Sequence, residues 1–340
     1  GSASPPPRAR APTMGVVPTP SPAAAPPCPI PTYLPWGRTA RRLDWAHLPP
    51  QVRFDVEARL GSPVVADSTL THGYVPVIET VLTLADGTHH LLRAASTKAQ
   101  RSFAASLRAE AQWLRTLPDP VPTLRLTHLL DGDWVVLVLE HPAARLPHRP
   151  WREDDLDRCL DAVSAAALAL TPAPGEARPF AEDLADWMGR WDILEGREDL
   201  GTPMQLLTAG RLAARLPEVT GGDTLVHTDL RDDTLHLTAD GGVLLDGWAW
   251  PVRGAAWLDP LLLLVGPCGD GLDVEAVLRR TPLLARVPDD DVDCVLAAMA
   301  GFFLTSCDLP VPAASPWLRE FQRWQGEAVW GWLRRRRGWA

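Results

Sequence analysis

His227-Thr228-Asp229-Leu230-Arg231-Asp232-Asp233-Thr234 is a polar, carboxylate-rich stretch held between two apolar ones, Thr224-Leu225-Val226 and Leu235-His236-Leu237. Downstream, Ala239-Asp240-Gly241-Gly242 separates the second apolar stretch from Val243-Leu244-Leu245. The spacing predicts a short strand, a loop presenting acidic side chains, and then a hairpin. Two absences bear on that loop: the chain has no asparagine at all, and Lys98 is its only lysine.

The remaining composition narrows the class. A chain of 340 residues has room for two structural units, and a hydrophobic fraction of 46% supports a large core. The net charge of -9 speaks against nucleic acid as a partner, because phosphate contacts need a concentrated basic face. The dense basic run, Arg334 to Arg337, stands near the end of the chain and reads as a solvated helix end, where cations suit the dipole. Cys28, Cys159, Cys268, Cys294 and Cys307 are scattered and odd in number, which predicts reduced thiols rather than a disulfide framework or a zinc site. No apolar run approaches membrane-spanning length, and no secretory pattern opens the sequence; a cytoplasmic protein without a membrane partner is expected. Scarce Lys, Asn, Ile and Phe beside abundant Ala, Arg and Pro suggest a GC-rich bacterial genome.

Along the chain, residues 1–35 are rich in Pro and Ala and read as a disordered leader. Residues 43–60 read as a helix, with Leu48, Val52, Val56 and Leu60 four apart. Strands are expected at Val64-Val65, 74–84 and 89–95, the last two joined by a turn at Asp86-Gly87. A helix over 102–117 and a strand pair at 124–130 and 134–139 follow. Beyond Trp151 the pattern turns helical, at 155–170, 180–194 and 204–216. The tail carries Trp317, Phe321, Trp324, Trp330 and Trp332, which read as core packing.

Set in this order of segments, Leu225-Val226-His227-Thr228-Asp229-Leu230-Arg231 and Gly254-Ala255-Ala256-Trp257-Leu258-Asp259 carry a family likeness. The chain resembles the aminoglycoside phosphotransferase and choline-kinase-like family, especially its actinobacterial members, over about residues 43–339. The resemblance implies an α+β, two-lobed, protein-kinase-like fold. Its parts would be the leader at 1–35, a β-rich N-lobe at 36–140, a hinge at 141–152 and a helical C-lobe at 153–340.

Phosphoryl transfer on this fold is mostly positioning and charge neutralisation. The resemblance implies that Asp229 is the base that aligns an acceptor hydroxyl. It implies a small-lobe lysine where Arg93 stands, paired with a helix glutamate, Glu110, and a nucleotide-covering loop whose one glycine is Gly73. Lys98 is a remoter candidate for the same charge. Magnesium ligands are expected at the positions of Thr234 and Gly247, neither of which supplies a carboxylate or amide. Asp246 stands one residue early; if the strand runs on, alternation turns it away from the site, unless a bulge brings it back. Asp233 and Asp232 are further metal candidates, with a solvated loop as the plainer reading. His227 and Asp259 are expected to be structural, packing beneath the loop and accepting its backbone hydrogen bonds, while the role of Arg231 stays open.

Two functions follow from the resemblance. In the first, the chain is a pseudokinase with no cofactor of its own, binding a peptide, a small-molecule substrate or a protein partner; relatives of this kind occur beside enzymes that modify ribosomally made peptides. In the second, it is an active phosphotransferase using ATP and Mg with Asp229 as base.

Overall fold

The computed structural model describes residues 27–339. Most of the expected leader, residues 1–26, lies outside the described residues. Pro50 opens helix α1 (Pro50–Leu60), and Gly61 ends it in the left-handed region at φ 73°. The helix expected from residue 43 therefore starts later, because Pro49-Pro50 interrupts it; only a short 3-10 turn, Trp45–His47, precedes it. Strands β1 (Val64–Thr69), β2 (Ile78–Leu84) and β3 (His89–Ser96) come next, then α2 (Arg101–Thr116), β4 (Leu126–Asp131) and β5 (Trp134–Glu140). Residues 74–77, expected at the start of β2, belong instead to the loop that follows β1.

These strands make a five-stranded sheet in the order β1-β2-β3-β5-β4, with antiparallel pairing throughout. Alternation sends Leu92, Ala94, Val136 and Val138 to one face, against α1, and Leu91, Ala95, Leu137 and Leu139 to the other, against α2. Arg93 lies between Leu91 and Ala95 and so shares the α2 face, pointing a cation into a layer in which Glu79 and Glu110 are also buried.

The linker to the large lobe contains a two-residue strand, β6 (Ala144–Arg145). Helix α3 (Glu153–Ala169) follows. The helix expected over 180–194 is broken into α4 (Phe180–Asp183) and two 3-10 turns, Ala185–Trp187 and Arg190–Asp192, around Gly189. Helices α5 (Pro203–Ala213) and α6 (Leu216–Val219) lead to β7 (Thr224–Val226), the acidic loop, β8 (Leu235–Thr238), β9 (Val243–Leu245) and β10 (Val252–Gly254). Helices α7 (Leu258–Leu263), α8 (Val265–Gly269), α9 (Val274–Arg280), α10 (Asp289–Ser306) and α11 (Leu318–Arg337) complete the lobe.

The tail tryptophans pack as the sequence suggests: Trp324, Trp330 and Trp332 are buried. The basic run is not a loose helix end. Arg336 bonds Glu275 at 2.6 Å and Asp289 at 2.9 Å, and Arg337 bonds Asp290 at 2.9 Å and Asp293 at 2.7 Å, clasping α11 to α9 and α10. Residues 27–35, expected to be disordered, lie along α11: Leu34 is buried with Phe321 and Trp324, and Ile30 donates its N–H to Gly269 O at 2.7 Å.

Two glycines test how tightly this lobe is packed. A methyl added at Gly269 would overlap the Trp324 ring, whereas one at Gly331 on α11 would meet only Arg335 at 3.5 Å. Helix propensity favours alanine at both by up to ~1 kcal/mol. The expected outcome of Gly269→Ala is a net loss of up to about 2 kcal/mol, since overpacking outweighs propensity there. Gly331→Ala is expected to be neutral or stabilising, and urea denaturation of the two variants reads the difference.

Candidate active site

The small-lobe hairpin places Glu79 directly opposite Arg93 across β2 and β3. From that position Arg93 reaches three carboxylates. Its Nε donates to Glu79 Oε1 at 2.9 Å and its Nη1 to Glu110 Oε1 at 2.6 Å, on α2. Nη1 also donates to Asp246 Oδ1 at 2.8 Å, and Nη2 donates to Asp246 Oδ2, in the large lobe. All four residues are less than 9% exposed. One guanidinium thus joins a strand, a helix and the opposite lobe, a task suited to a planar fork with five donors.

Asp246 is turned into the cleft, against the expectation from strand alternation. The reason is that β9 stops at Leu245. The chain then turns at Gly247, in the left-handed region at φ 84°, so the side-chain alternation of the strand no longer applies. The carboxylate is fully engaged. Oδ1 takes Arg93 Nη1 and the N–H of Gly247 (2.7 Å); Oδ2 takes Arg93 Nη2 and His236 Nε2 (3.1 Å). A carboxylate has about four lone-pair sites, and these four donors fill them.

Charge balance shapes the cluster. A second guanidinium, Arg42, bonds Glu79 Oε2 at 2.8 Å, so two cations face the carboxylates of Glu79, Glu110 and Asp246. Burial opposes ionisation of Asp246, but Arg93 and His236 overcome it and hold the carboxyl well below the usual range. Burial likewise opposes ionisation of Glu79, and Arg93 and Arg42 bring it down. Glu110 is the carboxylate left short: burial, with Asp246 and Glu79 nearby, outweighs Arg93 and raises it to about 7.

The acidic loop is braced from below. Asp259 accepts the N–H groups of His227 (2.7 Å) and Thr228 (2.8 Å). His227 is buried, with Nε2 at 2.8 Å from Asp246 O and Nδ1 accepting the N–H of Asp229 at 3.2 Å. Thr234 folds onto its own loop, donating to Asp229 O at 3.0 Å and accepting from Arg231 N at 2.8 Å. Arg231 links two loop carboxylates, Asp229 through Nη1 and Asp233 through Nε at 2.9 Å. Asp232 is held by Arg149 Nη1 at 3.0 Å. Lys98 is outside the site, in an exposed pair with Asp133.

Above these groups lies a cavity of about 440 Å³. Asp229, with its side chain 58% exposed, opens on it. Gly73 and Tyr74 from the β1–β2 loop, Phe103 and Leu107 from α2, and Trp187 and Trp250 from the large lobe form walls. The structure therefore brings Asp229, Arg93, Glu110, Gly73, Asp233, Thr234, Asp246, Gly247 and His227 to one cleft, with Asp259 just beneath it.

Comparison with solved structures gives the fold its name. The choline kinase LicA from Streptococcus pneumoniae superimposes with a TM-score of 0.54 at 13% identity, over 84% of this chain and 97% of that one. The amicoumacin kinase hAmiN, in complex with AMP-PNP, Ca2+ and Ami, gives 0.52 at 13%, over 84% and 94%. An aminoglycoside phosphotransferase from Alicyclobacillus acidocaldarius gives 0.51 at 15%, over 86% and 96%. The chain has the aminoglycoside phosphotransferase and choline kinase fold. No family model matches the sequence, and no curated protein does.

Within this fold, the residues present do not fit a magnesium–nucleotide complex held in the usual way. Magnesium needs oxygen ligands in near-ideal octahedral geometry. The lone pairs of Asp246 are taken, Thr234 Oγ1 is turned into its own loop, and Gly247 offers no side chain. The β1–β2 loop turns the carbonyls of Leu70, His72 and Val75 toward Arg42, at 2.8, 2.7 and 3.2 Å, and carbonyl oxygens accept hydrogen bonds, whereas a phosphate needs N–H donors.

Sequence reasoning missed Glu79, His236 and Arg42. The first was accessible: a tight turn at Asp86-Gly87 fixes the hairpin register, and that register pairs Glu79 with Arg93. The other two reach the site from β8 and from the segment before α1, and local pattern carries no signal for either.

Removing Arg93 leaves three buried carboxylates without their shared cation. Arg93→Met is expected to cost about 3–5 kcal/mol, and Arg93→Lys less, because one ammonium keeps the charge but cannot bridge three partners. Denaturant titration gives both values. Glu110 adds a pH dependence. Its folded value of about 7 lies above the ordinary 4.5, so the folded state binds the extra proton within that window. Its stabilising contribution is complete below pH 4.5 and is lost as pH rises through about 7. Unfolding free energies measured across the window should show that decline in the parent protein and a flatter profile in Glu110→Gln.

Proposed function

We propose that this kinase-fold protein does not carry out conventional magnesium-dependent phosphoryl transfer from ATP. It serves instead as a component of a bacterial biosynthetic pathway that binds a peptide, a substrate or a protein partner. The reading rests on one observation: Arg93 saturates Asp246 and ties it to Glu110 and Glu79, so charges that would grip a cation and its nucleotide neutralise each other. Removing one electrostatic group from such a site typically costs about 10²–10³ in rate. Here the lysine position and the metal position at Thr234 are altered together, and Asp246, though turned into the cleft, is taken up by Arg93. The cavity over Asp229 is then a place to bind rather than to transfer. A peptide fits this reading because the walls carry aromatic side chains around a polar floor.

One feature favours the active alternative, in which ATP phosphorylates a small-molecule or peptide hydroxyl: Asp229 still opens on the cavity. Calorimetric titration with ATP, with and without magnesium, separates the two. The expected result is no magnesium-dependent binding and no transfer of label from ATP. Magnesium-dependent binding, followed by label transfer that disappears in Asp229→Ala, would overturn the proposal. Arg93→Lys combined with Thr234→Asn is the complementary variant; it is expected to gain nucleotide binding, because it frees Asp246 and supplies an amide oxygen.

A further inference from the structure

We propose that residues 27–42 are a strap that holds the two lobes closed, and that its key is Arg42, the guanidinium bound by the inward-turned carbonyls of the β1–β2 loop. The inference holds whether or not the cleft takes a nucleotide.

The strap is fixed to the large lobe at one end. Ile30 N donates to Gly269 O at 2.7 Å, Trp324 Nε1 donates to Ile30 O at 3.1 Å, and Thr32 Oγ1 donates to Glu320 at 3.1 Å. Trp36 then covers Arg149, whose Cζ lies 3.4 Å from the ring centroid, with Trp324 at 4.9 Å from the same cation. Arg149 is itself bound to Asp232 and Asp270, so the strap rests on a side chain that positions the acidic loop.

At its other end the strap belongs to the small lobe. Ala40 N donates to Thr71 O at 2.8 Å, Thr71 Oγ1 to Gly37 O at 2.9 Å, and Thr39 Oγ1 to Gly73 O at 2.7 Å. Arg42 completes the attachment, its side chain 3% exposed, with three loop carbonyls and Glu79 as partners. The loop closes onto the large lobe directly as well: Tyr74 stacks on Phe321 at 4.2 Å, and Ser315 Oγ donates to Tyr74 O at 2.6 Å.

Lobe opening in a two-lobed fold is a hinge motion about the linker. Here the lobes are joined a second time, by a segment that does not pass through the linker, so opening requires the strap to leave one anchor. The strap's share of the opening free energy, added to that of the direct Arg93–Asp246 and Tyr74–Phe321 contacts, is concentrated in the Trp36–Arg149 stack and the Arg42 cluster.

Pulsed electron-spin measurement of the interlobe distance tests this on the full chain. Nitroxides are placed at Ala85→Cys in the small lobe and Arg211→Cys on α5, with Cys28 and Cys307 replaced by serine. The parent should give one narrow distance. Trp36→Ala should raise the open population about tenfold, equivalent to ~1.4 kcal/mol. Arg42→Ala should do the same, and added methylguanidinium, but not methylammonium, should restore its narrow distance. An unchanged distance in Trp36→Ala would overturn the strap. Equal rescue by both cations, or by neither, would overturn the assignment of Arg42 as its key. If Arg42→Ala fails to fold, Trp36→Ala decides the strap, and Arg42→Gln with the same two cations decides the key.

Discussion

One guanidinium organises this cleft. Arg93 is the point at which a strand, a helix and the opposite lobe meet, and each of its partners is a buried carboxylate. Burying several like charges together is unfavourable unless a cation sits among them with good geometry. The planar fork provides that geometry, and an ammonium would not, because it is a point charge without a fixed plane. The Arg93 position therefore reports a different electrostatic solution from the one the family resemblance implies. In that solution lysine meets the nucleotide and a divalent ion meets the carboxylates. Here Arg93 and Arg42 together bring two positive charges, the charge of one divalent ion, and both come from the chain itself.

The arginine cluster has structural consequences beyond charge. A bound cation and nucleotide can leave, so lobes that close around them can reopen. An arginine built into β3 stays, and its bond to Asp246 crosses the cleft. The β1–β2 loop follows the same logic. Its carbonyls face a guanidinium delivered by the segment before α1, and its Tyr74 rests on α11. The cavity that remains over Asp229 is bounded by these fixed contacts and by the aromatic walls at Trp187 and Trp250.

Much of the fold was legible because its signals are local. The turn at Asp86-Gly87, the apolar face of α2, the strand pair around Asp131-Gly132 and the loop from His227 each follow from short-range pattern. The helix expected over 180–194 ends at Asp183 and is followed by two 3-10 turns on either side of Gly189, and the helix expected from residue 43 yields to the local breaker Pro49-Pro50. The leader's composition lacks the means to build a core, but residues 27–35 need no core of their own when α11 supplies one.

The sequence by itself determined that Asp229 stands between two short apolar stretches, that no asparagine follows it, and that residue 93 is an arginine, where the resemblance implies a lysine. These are facts of residue identity and spacing, and no packing alters them. Only the tertiary structure decided where Asp246 points, since the strand that would have set its direction ends one residue earlier. It also decided that Glu79, His236 and Arg42 belong to the site. Their contacts join residues far apart in the chain, and those depend on how the lobes dock, which no periodicity along the chain encodes.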